Sequence, residues 1–581
     1  MIDIRRWTAA AGLLLLVGAL GGCTPKTDIS MGGNAPAQYT HVYVTVQEIR
    51  FNTNATALPG ATSWVAFPLT NPVTVDLVGT NAGTLAQLTT GQVLPPGTYT
   101  QALLFPVDSS AARVSSAISL GTNYNAEVDY LDSSGRQVSS TLELQNPDQG
   151  IVIPTSLVVK ADARGVLSTG DSSSGTSGSG SSSSQTSVTP LQFGVSEDAS
   201  RDVVPFNYGP ANSTTSGGTS TGTVSGFLLN PHMSVYDSAA VGTIQGTVDI
   251  SGLSGITVAG NSSYLNIQVT AEALSADGLR HVAVNSAPVG SGGTVTLYPL
   301  ATSSSTPTSY DLVIHGPAIA TIIVKNVPVS VGSPSSGTPV NIGTVKPRPA
   351  GSFTVNLNTT NPLPAGALVG FYQTLPGSTE VPYLIEERPI DPFSRAFASD
   401  QSIAAEGLDS GSYVSGSNVA LTTATPQEGA RTYRVSATAP LFNDGLLTTT
   451  PQGKSGSTAA LLVAVPVPAV ASGAFSSSLS VSARQSTPGK YDSGQLILSH
   501  GGAIVATAPL DSILKASGGG ILTLTGLPGG TAGAIYTPAQ YSVSVRTWSS
   551  ADPVKSLNRE IYPTIADLSG STLSSYSLVI D

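Results

Sequence analysis

Polar and apolar residues alternate one by one along much of the chain. Val42, Val44 and Val46 are interleaved with Tyr43, Thr45 and Gln47; Phe353, Val355 and Leu357 repeat the pattern, as do Tyr541, Val543 and Val545. Successive side chains of a strand point to opposite faces, so a period of two predicts strands half-buried in sheets. Glu127–Leu131 predicts a strand, Asp132–Gly135 a turn, and Val138–Leu144 the returning strand. Turn residues recur at close spacing, with 62 Gly and 40 Pro in 581 residues, a rhythm suited to sandwiches. Helical signals are confined to a short segment within Pro392–Gly407 and one turn at Asp511–Ala516. The expected fold class is all-β, with tandem antiparallel β-sandwich domains.

The first residues break this pattern. Arg5 and Arg6 precede Trp7–Leu20, fourteen residues without a charge. A membrane-spanning helix needs about 18 or more apolar residues, so this run predicts the core of an export signal. Leu20-Gly21-Gly22-Cys23 follows, and Cys23 is the only cysteine of the chain. The segment resembles the lipobox of bacterial lipoproteins: an aliphatic residue, two small residues that let a peptidase admit the extended backbone, and a thiol. The resemblance implies cleavage between Gly22 and Cys23, a signal peptide over 1–22, and fatty acyl chains (palmitate among them) on Cys23. Such chains hold a protein on a membrane because each buried CH₂ contributes about 0.8 kcal/mol. Thr24 in place of Asp after the cysteine implies the outer rather than the inner membrane. Residues 23–36 read as a flexible tether.

The first exported unit is placed at 37–236. His41-Val-Tyr-Val-Thr-Val-Gln-Glu-Ile49, Trp64, Val73-Thr-Val-Asp-Leu77, Leu94-Pro-Pro-Gly-Thr-Tyr-Thr-Gln101 and Asn146-Pro-Asp-Gln-Gly-Ile-Val-Ile153 follow in order, with Phe227-Leu-Leu-Asn-Pro231 as the expected last strand. This order resembles the bacterial domain of unknown function 4382 (DUF4382), a lipoprotein-borne sandwich with no assigned activity. Residues 168–187, nearly all Ser, Gly and Thr, read as a low-complexity insertion without the apolar residues to build a core. Gly242-Thr-Ile-Gln-Gly-Thr-Val248 opens a unit over 242–347 that is similar to carboxypeptidase-regulatory-like and immunoglobulin-like sandwiches. A β-rich unit over 350–470 and a C-terminal sandwich over 471–581 complete the division. A tyrosine entering a strand late in each unit, at Tyr99, Tyr310, Tyr433 and Tyr541, resembles sandwich motifs whose hydroxyl bonds back to nearby backbone.

Charge narrows the function. Only 10% of residues are charged, net −11, with no basic cluster, so nucleic acid is not an expected partner. One cysteine excludes an intramolecular disulfide and any Cys-based metal site. The five histidines are scattered, and no metal or other cofactor is expected. Gly218-Thr-Ser-Thr-Gly222 fits a bare nucleophile-elbow spacing but lacks the strand and helix that give it meaning. Gly453-Lys454-Ser455 lacks the first glycine of a phosphate loop. Trp64 and Trp548 read as core residues. The densest charged cluster is Glu386-Glu387-Arg388-Pro-Ile-Asp391. Glu386 and Glu387 would point to opposite faces of a strand, which suits an ion-paired junction between domains better than a catalytic pair. The reading is thus a non-catalytic, membrane-anchored surface lipoprotein that binds or adheres to an envelope protein or polysaccharide, or serves as a scaffold; the alternative is a carbohydrate-active or hydrolytic envelope protein.

Overall fold

The computed structural model describes residues 26–581 apart from 133, 161–189, 209–223, 254–265, 303–307, 318, 334–336, 351, 359–361, 376–380, 396, 398–401, 405–407, 423–432, 450–460, 532–538 and 569–572. Cys23 and its lipobox, the Ser/Gly insertion, Gly218–Gly222 and Gly453–Ser455 lie outside the described residues. Within them the alternating segments pair into eight sheets, stacked two by two, and the all-β expectation holds.

The first pair joins a four-stranded sheet (Ser234–Asp237, Leu191–Asp198, Lys26–Asn34, Ala86–Val93) to an eight-stranded one centred on Tyr39–Asn52. Val42, Val44 and Val46 point into the core between them with Ile29, Met31, Phe51, Phe193 and Val195. The hairpin at 126–143 forms as its pattern predicts. Two expectations are corrected here. Lys26–Asn34 is no tether: it is a central strand, antiparallel to Ala86–Val93 and parallel to Leu191–Asp198. The last strand is Ser234–Asp237 rather than Phe227–Pro231: Val235 still covers the first core, while Tyr236 on the other face packs against Val241 and Tyr298.

The other three pairs share one topology. Seven strands, numbered within each pair, form one sheet in the order 4-1-7 and another in the order 3-2-5-6. In the second pair these are Thr294–Ala301, Val241–Val248 and Val340–Val345 against His281–Pro288, Gln268–Leu274, Thr308–His315 and Thr321–Val329. The fourth pair repeats it with Gly520–Thr531, Ala474–Gln485 and Leu573–Ile580 against Ala503–Pro509, Ser493–His500, Ala539–Trp548 and Asn558–Leu568. In every case strand 1 runs parallel to strand 7. Each pair encloses its own apolar core. The third pair has one extra strand, Leu408–Ser412, which leaves its own sheets and extends the second pair's sheet beside Thr321–Val329. The segment expected to be helical holds the short strand Ser402–Ala404 instead, whereas Asp511–Leu514 is the expected helical turn.

Tyrosine hydroxyls lock the turns. Tyr99 donates to the Pro95 carbonyl at 2.7 Å, Tyr310 to Ala301 at 2.8 Å, and Tyr541 to Pro528. Tyr433 is buried in the third core. Trp548 is 3% exposed, but Trp64 is only half-buried and reaches the Leu58 carbonyl with its indole N–H.

Candidate functional site

The four sandwiches are bolted together, and charged side chains concentrate at the seams. Strand Tyr383–Pro389 of the third sandwich carries Glu386 and Glu387. Its alternation sends them to different partners. Glu386 accepts from Arg388 two residues along at 2.5 Å and meets His315 of the second sandwich at 3.1 Å. Glu387 pairs with Arg201 of the first sandwich at 2.6 Å. Asp391 joins neither: its carboxylate, 4% exposed, accepts from the Phe393 and Asn207 backbone N–H groups at 2.9 and 3.1 Å. The three acidic residues singled out from sequence are therefore all at seams, but only two share a site.

Sequence reasoning passed over the other half of that site. Ser196-Glu-Asp-Ala-Ser-Arg-Asp202 ends one strand of the first sandwich and turns through a short helix, so that four ionisable groups converge. Its charge density, in a chain with 10% charged residues, was the available signal. Asp202 accepts from His232 through both the ring Nδ1 and the backbone N–H, each at 2.6 Å. Asp198 accepts from Ser200 and Ser286 at 2.5 Å, which ties it to the second sandwich. Opposite, Glu272 accepts from the Leu384 N–H at 3.2 Å, and His281 stacks on Tyr383 at 4.1 Å.

Burial sets the protonation. Glu197, 1% exposed, is pushed well above the usual carboxylate range by burial and by the neighbouring Asp202. Glu272 is raised likewise, chiefly by burial, and Asp198 is raised by burial despite Arg201 and its serine donors. Glu386 behaves oppositely: burial disfavours its charge, but Arg388 and His315 outweigh it and bring it to about 2. His232 loses to burial less than it gains from Asp202, so it is raised.

Two small cavities adjoin the Arg201–Glu387 pair, and Glu387 lines both. One, of about 310 Å³, is lined by His315, Glu386 and Arg388 among others; the second, of about 250 Å³, by His232, Tyr372 and Asp444. A general base needs a nucleophile or water-activating partner within hydrogen-bond reach. Here every described base is bonded to an acid, Arg201 to Glu387, His232 to Asp202, and His315 and Arg388 to Glu386, which is the arrangement of a clamp. Among the described residues no three His, Cys, Asp or Glu side chains are grouped to hold a metal ion.

A second seam joins the first and fourth sandwiches. Arg546, 1% exposed, pairs with Glu143 and lies over the rings of Phe206 and Phe393 at 5.9 and 5.7 Å. Around it Val204, Leu228, Ala365, Ile497, Ile504 and Trp548, from three sandwiches, form an apolar plug. Asn230 stitches the same three, accepting from the Ile504 N–H and donating to the Gly366 carbonyl.

The family model for the domain of unknown function DUF4382 matches residues 28–174. It begins inside the strand first taken for a tether and stops before Leu191–Asp198, which completes that sheet. No curated protein matches the sequence. Among solved structures, the Bacillus anthracis TIE protein is similar at 8% identity and TM-score 0.13, covering 99% of this chain and 79% of that one. The Bacillus cereus major pilin subunit BcpA is similar at 10% and 0.12, covering 58% and 99%, and two B repeats of the Staphylococcus aureus collagen binding protein at 9% and 0.11, covering 90% and 93%. Superposition scores this low carry no functional inference, and the chain's similarity rests on its DUF4382 segment.

Proposed function

We propose that this chain is a non-catalytic surface module of the bacterial envelope, held on the outer membrane by lipid on Cys23. In this reading a DUF4382 sandwich is followed by carboxypeptidase-regulatory-like or immunoglobulin-like sandwiches that together make a rigid binding or scaffold body. One observation carries it: three ion pairs cross the seams, Arg201 to Glu387, His315 to Glu386 and Arg546 to Glu143. Groups so committed resist displacement, because removing one partner leaves an uncompensated buried charge.

The anchor is tested by intact mass and detergent partitioning of wild type beside Cys23→Ala. The expected result is a detergent-phase chain beginning at an acylated Cys23, and a mutant that stays aqueous. Identical processing and an aqueous wild type would overturn the anchor.

A further inference from the structure

Between the first and second sandwiches lies a second kind of space, an open cleft of about 890 Å³. Its walls come from two sheets. Gln87 and Gln192 stand on the first sandwich's four-stranded sheet, and Gln245, Thr296 and Tyr298 on the facing 4-1-7 sheet. Gln245 and Thr296 are directly paired across strands, so their side chains project side by side. Val331, 55% exposed, adds an apolar ledge. No charged residue lines the cleft.

We propose that this cleft binds an uncharged oligosaccharide. Sugar hydroxyls both donate and accept, and side-chain amides and hydroxyls answer both roles without the desolvation cost of a fixed charge. The amides are held in place: the Gln87 Nε2 donates to the Ile29 and Thr89 carbonyls at 2.8 and 2.7 Å, and the Gln192 Nε2 to Asp28 at 2.9 Å. Each amide is thereby held in place with its carbonyl oxygen left as an acceptor, and pre-ordered groups lose less entropy on binding. The Tyr298 ring packs edge-on against Tyr236 at 5.8 Å, and a Cβ on Gly194 would stand 2.1 Å from the Tyr236 ring, so Tyr236 is seated closely on the glycine behind that wall. The volume lies within the range of small-molecule sites, roughly 300–1,000 Å³. Competing ligands fit less well. Phosphates and acidic sugars need Arg or Lys, and lipids need apolar walls. An added peptide strand needs a regular edge, but the pairing of Lys26–Asn34 with the edge strand Ala86–Val93 shifts register twice.

The proposal deepens the binding-module reading and relies on it only in expecting no turnover. The test is isothermal titration of the full-length protein in detergent with cellohexaose, xylohexaose, mannohexaose and laminarihexaose, with hexagalacturonate as the charged comparison. At least one neutral hexamer should bind in the micromolar-to-millimolar range and be recovered uncut, with hexagalacturonate weaker. Gln192→Ala and Gln245→Ala should each weaken binding about tenfold or more, since each strips a partner from a buried ligand hydroxyl. Val331→Asp at the rim should do the same without touching the sheet interior. If no neutral hexamer binds, if hexagalacturonate binds as well, or if the three variants bind like wild type, the cleft assignment fails while the anchored-module reading stands. If a hexamer binds and is cut, the cleft stands and the non-catalytic reading fails.

Discussion

Two spaces bordered by the first and second sandwiches, one closed also by the third, differ in almost every respect. The seam around Arg201 and Glu387 is rich in ionisable groups, most of them paired across it. The cleft beside it is wide, and its polar lining is uncharged, amides and hydroxyls beside a few apolar residues. Charge was placed where it holds the body together and kept out of the surface left open. The comparison teaches that, in a chain this poor in charge, the position of an ion pair marks a joint more reliably than a site of chemistry.

The sharpest way to break this comparison is at the most buried joint. Arg546→Ala strands Glu143 at the plug and should cost about 3–5 kcal/mol, read as a lower urea midpoint; a loss below about 1 kcal/mol would mean that the joint contributes nothing. Glu387→Ala should cost less, about 2 kcal/mol, because the Arg201 side chain keeps 25% exposure and can recruit water. Gln192→Ala in the cleft should stay within about 0.5 kcal/mol of wild type, and equal losses at the two positions would erase the distinction.

Proton linkage gives a third measure. Glu197, Glu272, Asp198 and His232 all have folded values raised above their unfolded ones. Each therefore stabilises the fold most below its unfolded value, and this contribution is lost as pH rises through the folded one. Glu386, lowered to about 2, stabilises above its unfolded value and loses this as pH falls toward 2. Stability should therefore peak near pH 5 and decline toward pH 8. Glu197→Gln removes the carboxyl that burial and Asp202 keep protonated, so it should flatten that decline and raise stability at pH 8 by about 1–2 kcal/mol. An unchanged slope would place the titration elsewhere. The turn locks contribute less than either joint: Tyr99→Phe and Tyr310→Phe should each cost about 1 kcal/mol, with the cleft and seams unaltered.

What could be read from the sequence was what acts locally. Strand alternation at Val42–Val46 and the tyrosine locks at 99, 310 and 541 depend on neighbours a few residues away, and both were visible. The repeated 4-1-7 sheet was not, because strand 1 meets strand 7 across a hundred residues and shares no side-chain pattern with its counterparts. Glu386 and Glu387 stood out by density, yet their partners Arg201 and His315 come from other sandwiches. Lys26–Asn34 was misread for a physical reason. Gly32 and Gly33 suggest slack, but a Cβ there would stand 2.7 Å from Leu85 and 2.4 Å from the Glu197 carbonyl oxygen. Glycine serves close packing at this point, not freedom.

That strand also decides how the body can stand. Only Thr24 and Pro25 separate Cys23 from Lys26, whose backbone is already paired with Val93. Three fully extended residues reach about 10 Å. A protein on a long leash samples every orientation above a bilayer, whereas one fastened by so short a link is a mounted instrument. An acyl group on Cys23 would fix the start of this sheet at the headgroups and give the cleft a constant height and heading.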